Sequence, residues 1–214
     1  MDLVDIFPAF GIRIECGPVT LRAIRESDAP RIAELAAAGI HAEDARPFLR
    51  PWNLGHDQPL TSLQFYYRTW STLARDAWTL MFAVERDGEM VGAQDLTTAD
   101  FPILRTGETG SWLGLPHQGR GTGTLMRQAI LTFAFDHLGA IEMRSTAWVD
   151  NPNSHRVSEK CGYVVAGSTW KVRENARVRQ DDLVVTPETL VRPPHEVMVT
   201  GLDPFLAAVG LTPS

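Results

Sequence analysis

Cysteine is almost missing from this chain: Cys16 and Cys161 are the only two in 214 residues. Two cysteines make no disulfide framework, and no CxxC pair or Cys/His spacing offers a zinc site. The six histidines, at 41, 56, 117, 137, 155 and 195, are scattered without metal spacing, so no metal is expected. No apolar run approaches the ~18–20 residues that cross a bilayer, which argues against a membrane partner. The opening residues MDLVDIF lack the basic start and small-residue cleavage site of a secretory signal, so a reduced, cytoplasmic setting is expected. Basic charge is short as well. Twenty Lys and Arg against 26 Asp and Glu leave a net charge of −6, which disfavours nucleic acid as the main partner and fits a cationic one slightly better.

What is present is an ordinary globular composition, 44% apolar and 21% charged, in a length that suits one well-buried domain. VTLRAI (19–24) alternates like a strand, and Ser27 or Asp28 can cap a following helix with Pro30 in its first turn and Gly39 at its end. Residues 40–60 hold three prolines together with Phe48 and Trp52 and read as irregular. Leu63, Tyr66, Tyr67, Trp70 and Leu73 recur at helical spacing over 62–76. Two β-rich runs around Asp87-Gly88 predict a hairpin over 78–96. A strand over 108–115 follows, with Gly110 and Gly114 hinting at a bulge. A helix then reaches about Leu138, a strand covers 141–150, a short helix 151–162, and two more strands come from YVVAGSTWKV and DLVVTPETLV. That order describes a mixed α/β fold of the α+β type, with a mostly antiparallel central sheet flanked by helices. Residues 1–191 read as one domain. Residues 192–214 follow with EVMVTG, an edge-strand pattern, and the amphipathic DPFLAAVGL, an extension packed on the domain or on a partner subunit in a homodimer.

The stretch LGLPHQGRGTGT (113–124) places glycines at 119, 121 and 123 immediately before a helix. Successive amides in such a turn point at one spot, and the helix N-terminus adds about half a positive charge there, which suits a pyrophosphate. Arg120 and Thr124 are additional side-chain donors. Mononucleotide and dinucleotide readings are both weakened: GxxxxGK[ST] is not matched, Thr124 stands after Gly123, and the preceding strand belongs to an antiparallel meander rather than a βαβ unit.

Gln118-Gly-Arg-Gly121-Thr-Gly123 resembles the Q/R-x-x-G-x-G/A signature of the GNAT superfamily of N-acyltransferases. VTLRAIRESDA, the W-L-G-L strand and DNPNSHRVSEKCGY resemble the RimJ/RimL-type branch in matching order from residue 19 to about 191. PFLRPW and the strand–helix tail resemble a subgroup with succinyl-CoA-associated members. The resemblance implies the GNAT-like acyl-CoA N-acyltransferase fold. It also implies transfer of an acetyl or succinyl group from acetyl-CoA or succinyl-CoA to a primary amine through a direct ternary complex. The acceptor would be a protein N-terminus, a lysine or a small amine. A non-catalytic CoA-sensing module is the alternative.

The resemblance also assigns residues. Gln118, Gly119, Arg120, Gly121, Thr122, Gly123 and Thr124 would hold the pyrophosphate of coenzyme A. The amides of Leu113 and Leu115, freed by a bulge at Gly114, would face the thioester. Asn151 would contact the pantetheine arm, and Ser154 would lie near the sulfur as general acid or hydrogen-bond donor, although both residue types also cap helices. The general base is sought among Glu108, then Asp95, with Glu174 as a third carboxylate. Trp52, Phe48 and Trp112 fall where the family shapes its acceptor side, whereas Trp70, Trp78 and Tyr163 read as core. Arg46 and Arg50 are candidates for a succinyl carboxylate. The branch often carries a glutamate shortly after the glycines, and here Leu125-Met126 stand instead, which speaks against a simple transfer of ribosomal-protein specificity.

Overall fold

The computed structural model describes residues 1–41 and 58–211. Phe48 and Trp52, expected on the acceptor side, and Arg46 and Arg50 lie outside the described residues. Among those described, nine strands form one sheet: β1 (Arg13–Cys16), β2 (Val19–Ala23), β3 (Trp78–Arg86), β4 (Glu89–Thr98), β5 (Thr106–Leu113), β6 (Glu142–Trp148), β7 (Val164–Arg173), β8 (Ala176–Val185) and β9 (Val197–Thr200). Their spatial order is β7-β8-β6-β5-β4-β3-β2-β1-β9, and every neighbouring pair is antiparallel except β5 with β6. The helices are α1 (Leu3–Ile6), α2 (Ala29–Ala37), α3 (Gln58–Ser71), α4 (Phe101–Leu104), α5 (Thr122–Thr132), α6 (Pro152–Lys160) and α7 (Leu202–Val209). No described helix is long and apolar enough to cross a membrane.

The centre of the sheet is covered on both faces, which is why WTLMFAV in β3 reads as a continuous apolar run rather than an alternating one, whereas β7 is exposed along almost all its length. Leu80, Phe82 and Val84 meet Ala129, Ile130 and Phe133 on the α5 side, and the Phe82 and Phe133 rings stand edge-on at 6.4 Å. Met81, Ala83 and Ala93 meet Ile32, Leu35 and Tyr66 of α2 and α3 on the other, with Trp70 and Trp112 packed at its margin. Each fully buried aliphatic or aromatic side chain contributes about 1.5–3 kcal/mol before entropy is counted. The predicted β3–β4 hairpin turns at Asp87 (φ 51°) and Gly88 (φ 83°), the two positive angles that match the twist of its strands.

Several local expectations differ. The sequence reading missed β1, whose four residues alternate between core (Ile14, Cys16) and an outer Arg13–Glu15 ion pair. Asp28 occupies the cap position of α2 but makes no side-chain cap bond to that helix; it serves the capping box of the 3₁₀ turn Glu26–Asp28 before it. Its carboxylate is held instead by the Arg22 guanidinium, at 2.7 and 2.8 Å, and by the Arg25 amide. The helix predicted to reach Leu138 stops being α-helical at Thr132 and continues as a π-helical stretch over Phe133–His137. The last hairpin is longer than predicted: β7 and β8 meet at Glu174 and Asn175, which puts Glu174 at the hairpin tip beyond the last β8 residue paired with β6. The tail joins the sheet of its own chain. β9 pairs with β1, and Phe205, Leu206 and Val209 of α7 enter the core, with Phe205 edge-on to Trp78 at 5.3 Å.

Candidate active site

β5 and β6 run in parallel only at Thr106↔Glu142, Gly107↔Met143 and Glu108↔Arg144, while β5 stays paired with β4 as far as Leu113↔Gly92. Beyond Glu108 the two strands part, and residues 109–113 of β5 present an edge that no strand among the described residues pairs on that side. Gly114 donates its amide to Val91 O at 2.9 Å. By the alternation of an antiparallel ladder, the Leu113 amide one residue earlier points away from β4, into the opening.

At the end of this edge the chain makes a short turn and enters α5. Gly119 (φ 74°) and Gly121 (φ 79°) both adopt the left-handed conformation, which a β-carbon makes costly, so the repeated glycines have a conformational cause. Among the described residues, no acceptor engages the amides of residues 119–124, while Leu125 begins the helix ladder by donating to Gly121 O. A turn whose successive N–H groups are unspent at a helix N-terminus fits a phosphate ligand, and a bland cap would not need it. Gly119, Arg120 and Gly121 are exposed; Thr122 is buried and accepts from Arg86 Nη1 at 2.8 Å, which fixes where the helix starts. Gly123 lies over Leu113 and Val157, and Thr124 is half-buried.

Two assigned residues do other work in this structure. Gln118 Nε2 donates to Ile40 O (2.6 Å) and to Leu113 O (2.8 Å), so its side chain ties the end of β5 to the segment after α2. The Leu115 amide donates to Gly39 O at 2.9 Å; the expectation of a free amide there is not met, and Leu113 retains that part alone.

α6 lines the other side of the opening. Asn151 is its N-cap, its Oδ1 accepting from the Ser154 amide at 3.1 Å, which is the capping geometry its residue type favours. Ser154 is half-buried, and its hydroxyl has no partner among the described residues. Val157 and Ser158, three and four residues on and therefore on the same helix face, are turned toward Gly123 and the interior.

On the opposite face of the sheet stand three more assigned residues. Asp95 is opposite Gly110, Glu108 opposite Thr97, and Trp112 opposite Ala93, so the period-two alternation turns all three side chains toward α2 and α3. Asp95 Oδ1 accepts from the Gly110 amide at 3.1 Å, and a β-carbon on Gly110 would fall 2.6 Å from its other oxygen, so a side chain there would displace the carboxylate. Burial pushes the Asp95 carboxyl up to about 6, against the Gly110 hydrogen bond; the Glu108 charge adds to the rise and Arg127 opposes it. Glu108 itself is exposed. Tyr66 of α3 is buried on this face, and burial followed by the charges of Asp95 and Asp28 raises its hydroxyl pKa. The β5 edge thus has the glycine turn and Ser154 toward its α5–α6 side and a carboxylate-bearing face toward α2 and α3.

Sequence reasoning passed over Tyr66, Thr109 and Arg127. Thr109 Oγ1 meets the Tyr163 hydroxyl at 2.9 Å, so Tyr163 is a buried polar contact as well as packing. Arg127 and Gln128 inside an apolar helix were the available signal. Among the described residues no group of three His, Cys, Asp or Glu side chains is placed to hold a metal.

Residues 19–164 match the model of the acetyltransferase (GNAT) domain family. A protein of Bacillus subtilis (strain 168) named as a ribosomal N-acetyltransferase, YdaF, is 28% identical over 153 residues, 70% of this chain and 79% of its own. Among solved structures, Mycobacterium smegmatis RimJ in complex with CoA-disulfide superposes with a TM-score of 0.68 at 22% identity, covering 92% of each chain. A spermidine N-acetyltransferase from Vibrio cholerae, in complex with CoA and spermine, gives 0.65 at 20% identity over 80% of this chain and 97% of its own. The splayed strands, the glycine turn and the family match over most of the chain agree, and the chain belongs to the GNAT acetyltransferases, enzymes that carry an acyl group from coenzyme A to an amine.

Proposed function

We propose that this protein acetylates a cationic primary amine directly from acetyl-CoA, with both substrates bound at once and no acyl-enzyme. The observation that carries the reading is the open β5 edge, which lies between the unspent amides of residues 119–124 and the carboxylate of Asp95. Those amides hold the pyrophosphate, and the Leu113 amide donates to the oxygen on which charge develops as the thioester is attacked. A preorganised donor of this kind is worth roughly 2.7–4 kcal/mol of barrier. Asp95, poised near 6, takes the proton of the incoming ammonium on the α2–α3 face. The Ser154 hydroxyl donates to the departing sulfur on the α5–α6 side. Asn151, capping α6, fixes the helix turn that carries Ser154.

Asp95 and Glu108 on one face favour an acceptor that arrives positively charged. A ribosomal-protein N-terminus and a polyamine both satisfy this, and both kinds of substrate occur in the names of the proteins compared above. Succinyl transfer would require a cation for the second carboxylate, for which Arg46 and Arg50 are the assigned residues. A cytoplasmic setting accords with two free, buried cysteines. A homodimer remains a proposal for the tail, to be tested by light scattering.

The deciding experiment measures thiol release from acetyl-CoA and from succinyl-CoA over a panel of peptide N-termini and polyamines. Turnover with at least one cationic amine is expected, and acetyl-CoA should be the better donor. CoA binding without turnover on any amine would replace the enzyme with a CoA-sensing module.

A further inference from the structure

Arg127 enters the reading above only through its charge, which holds the Asp95 carboxyl down. It stands on α5 one turn beyond Gly123, on the same helix face, and is only 6% exposed. Its Nη2 donates to Ser111 Oγ on β5 at 2.8 Å, and its Nη1 reaches Ser145 Oγ on β6 at 3.4 Å. Ser145 Oγ in turn donates to Thr109 O at 3.1 Å. The Tyr163 ring, whose hydroxyl meets Thr109, lies 5.9 Å from the guanidinium carbon. Among the described residues Arg127 forms no ion pair, and its Nε is buried without a partner.

A guanidinium held in a protein interior without an anion is costly, and a core helix has no packing reason to carry one. The strands above it supply a reason. A continuing parallel ladder would carry β5 and β6 on past Glu108↔Arg144, and the Thr109 carbonyl would take an amide from β6. That carbonyl takes the Ser145 hydroxyl instead, and the guanidinium fills the widening gap one step further along, touching both strands. The polar group is therefore placed where closure of the two strands would otherwise begin.

We propose that Arg127 is a positioning residue: braced on Ser111 and Ser145, its guanidinium wedges β5 and β6 apart and keeps the β5 edge open for the pantetheine arm of the donor. The inference rests on the acyl-CoA reading given above and adds to it the residue that maintains the opening. It separates two parts of one ligand. The arm depends on the wedge, whereas the nucleotide end, held at residues 119–124, does not.

The test is isothermal titration of the wild type, Arg127→Met and Arg127→Lys with CoA and with adenosine 3′-phosphate 5′-diphosphate, which lacks the arm. In Arg127→Met the Kd for CoA should rise about tenfold or more, with the nucleotide Kd moving less than about twofold. Arg127→Lys, which can reach one serine but not both, should fall between. CoA affinity within about twofold of wild type in Arg127→Met overturns the proposal, and so does an equal loss for both ligands, the signature of a merely structural residue. If Arg127→Met does not fold, Ser111→Ala and Ser145→Ala carry the same comparison, with a loss of roughly threefold or more expected for CoA alone; no loss in either variant overturns it. A wild-type protein that binds neither ligand would overturn the donor-site reading itself, a distinguishable failure.

Discussion

Replacing Asp95 by asparagine should make this protein more stable and a poorer enzyme, and both changes should depend on pH. Burial raises the Asp95 carboxyl from 3.8 to about 6. A carboxyl whose folded-state pKa lies above its unfolded value binds its proton more tightly in the folded state. The folded state is thus favoured most below pH 3.8, and that contribution is lost as pH rises through about 6. Two units correspond to roughly 3 kcal/mol at full effect, an upper bound because Asp95 is only half-buried. Asparagine keeps an oxygen for the Gly110 amide and removes the charge. Urea unfolding should find Asp95→Asn more stable than wild type by up to about 3 kcal/mol near pH 7.5, shrinking to about half that near pH 5. In the pH–rate profile, the wild type should gain activity as Asp95 ionises near 6, and the variant should lose this limb along with about two orders of magnitude in kcat. An unchanged acidic limb would refute the base assignment. Equal stabilities across the whole pH range would refute the burial argument beneath it.

Ser154→Ala should lower kcat by about tenfold or more and leave the KM for acetyl-CoA nearly unchanged, as expected of a donor needed mainly when the thiolate leaves; equal kcat at every pH would reject that role. Gly121→Ala places a β-carbon at φ 79° and in the cradle, so the Kd for CoA should rise by about tenfold, with a fold cost of about 1–2 kcal/mol. Asn151→Ala removes the α6 cap and should cost about 1 kcal/mol, a drop of roughly 2–4 °C in Tm by calorimetry.

What the sequence exposed and what it hid divide along a physical line. The hairpin at Asp87-Gly88, the glycine turn before α5 and the Asn151 cap depend on residue types that force local backbone geometry, so short-range reading found them. Gln118, Asp28 and Arg127 could not be read that way. Each has an ordinary polar side chain whose partner, Ile40 O, Arg22 or Ser111, is chosen by tertiary contact. β1 was lost because four alternating residues between a 3₁₀ turn and Gly17 are too short to stand out, and they become a strand only when flanked by β2 and β9. The glycine turn and the α6 cap, on which the donor-side expectation rests, were legible for the same reason. Asp95, Glu108 and Trp112 were named one by one, but that they share a face is set by strand register.

The pairing of β9 with β1 joins residues separated by almost the whole chain, Arg13 with Thr200 and Cys16 with Val197. That seam cannot form until nearly everything between has been synthesised, and long-range pairings of this kind are slow to close. Until then, β1 offers a bare hydrogen-bonding edge and the pocket later filled by Phe205, Leu206 and Val209 stands open to water. A protein cut after Val191 would live permanently in that half-finished condition, with a sticky margin far from the cleft, and would be lost to aggregation before its chemistry could be measured.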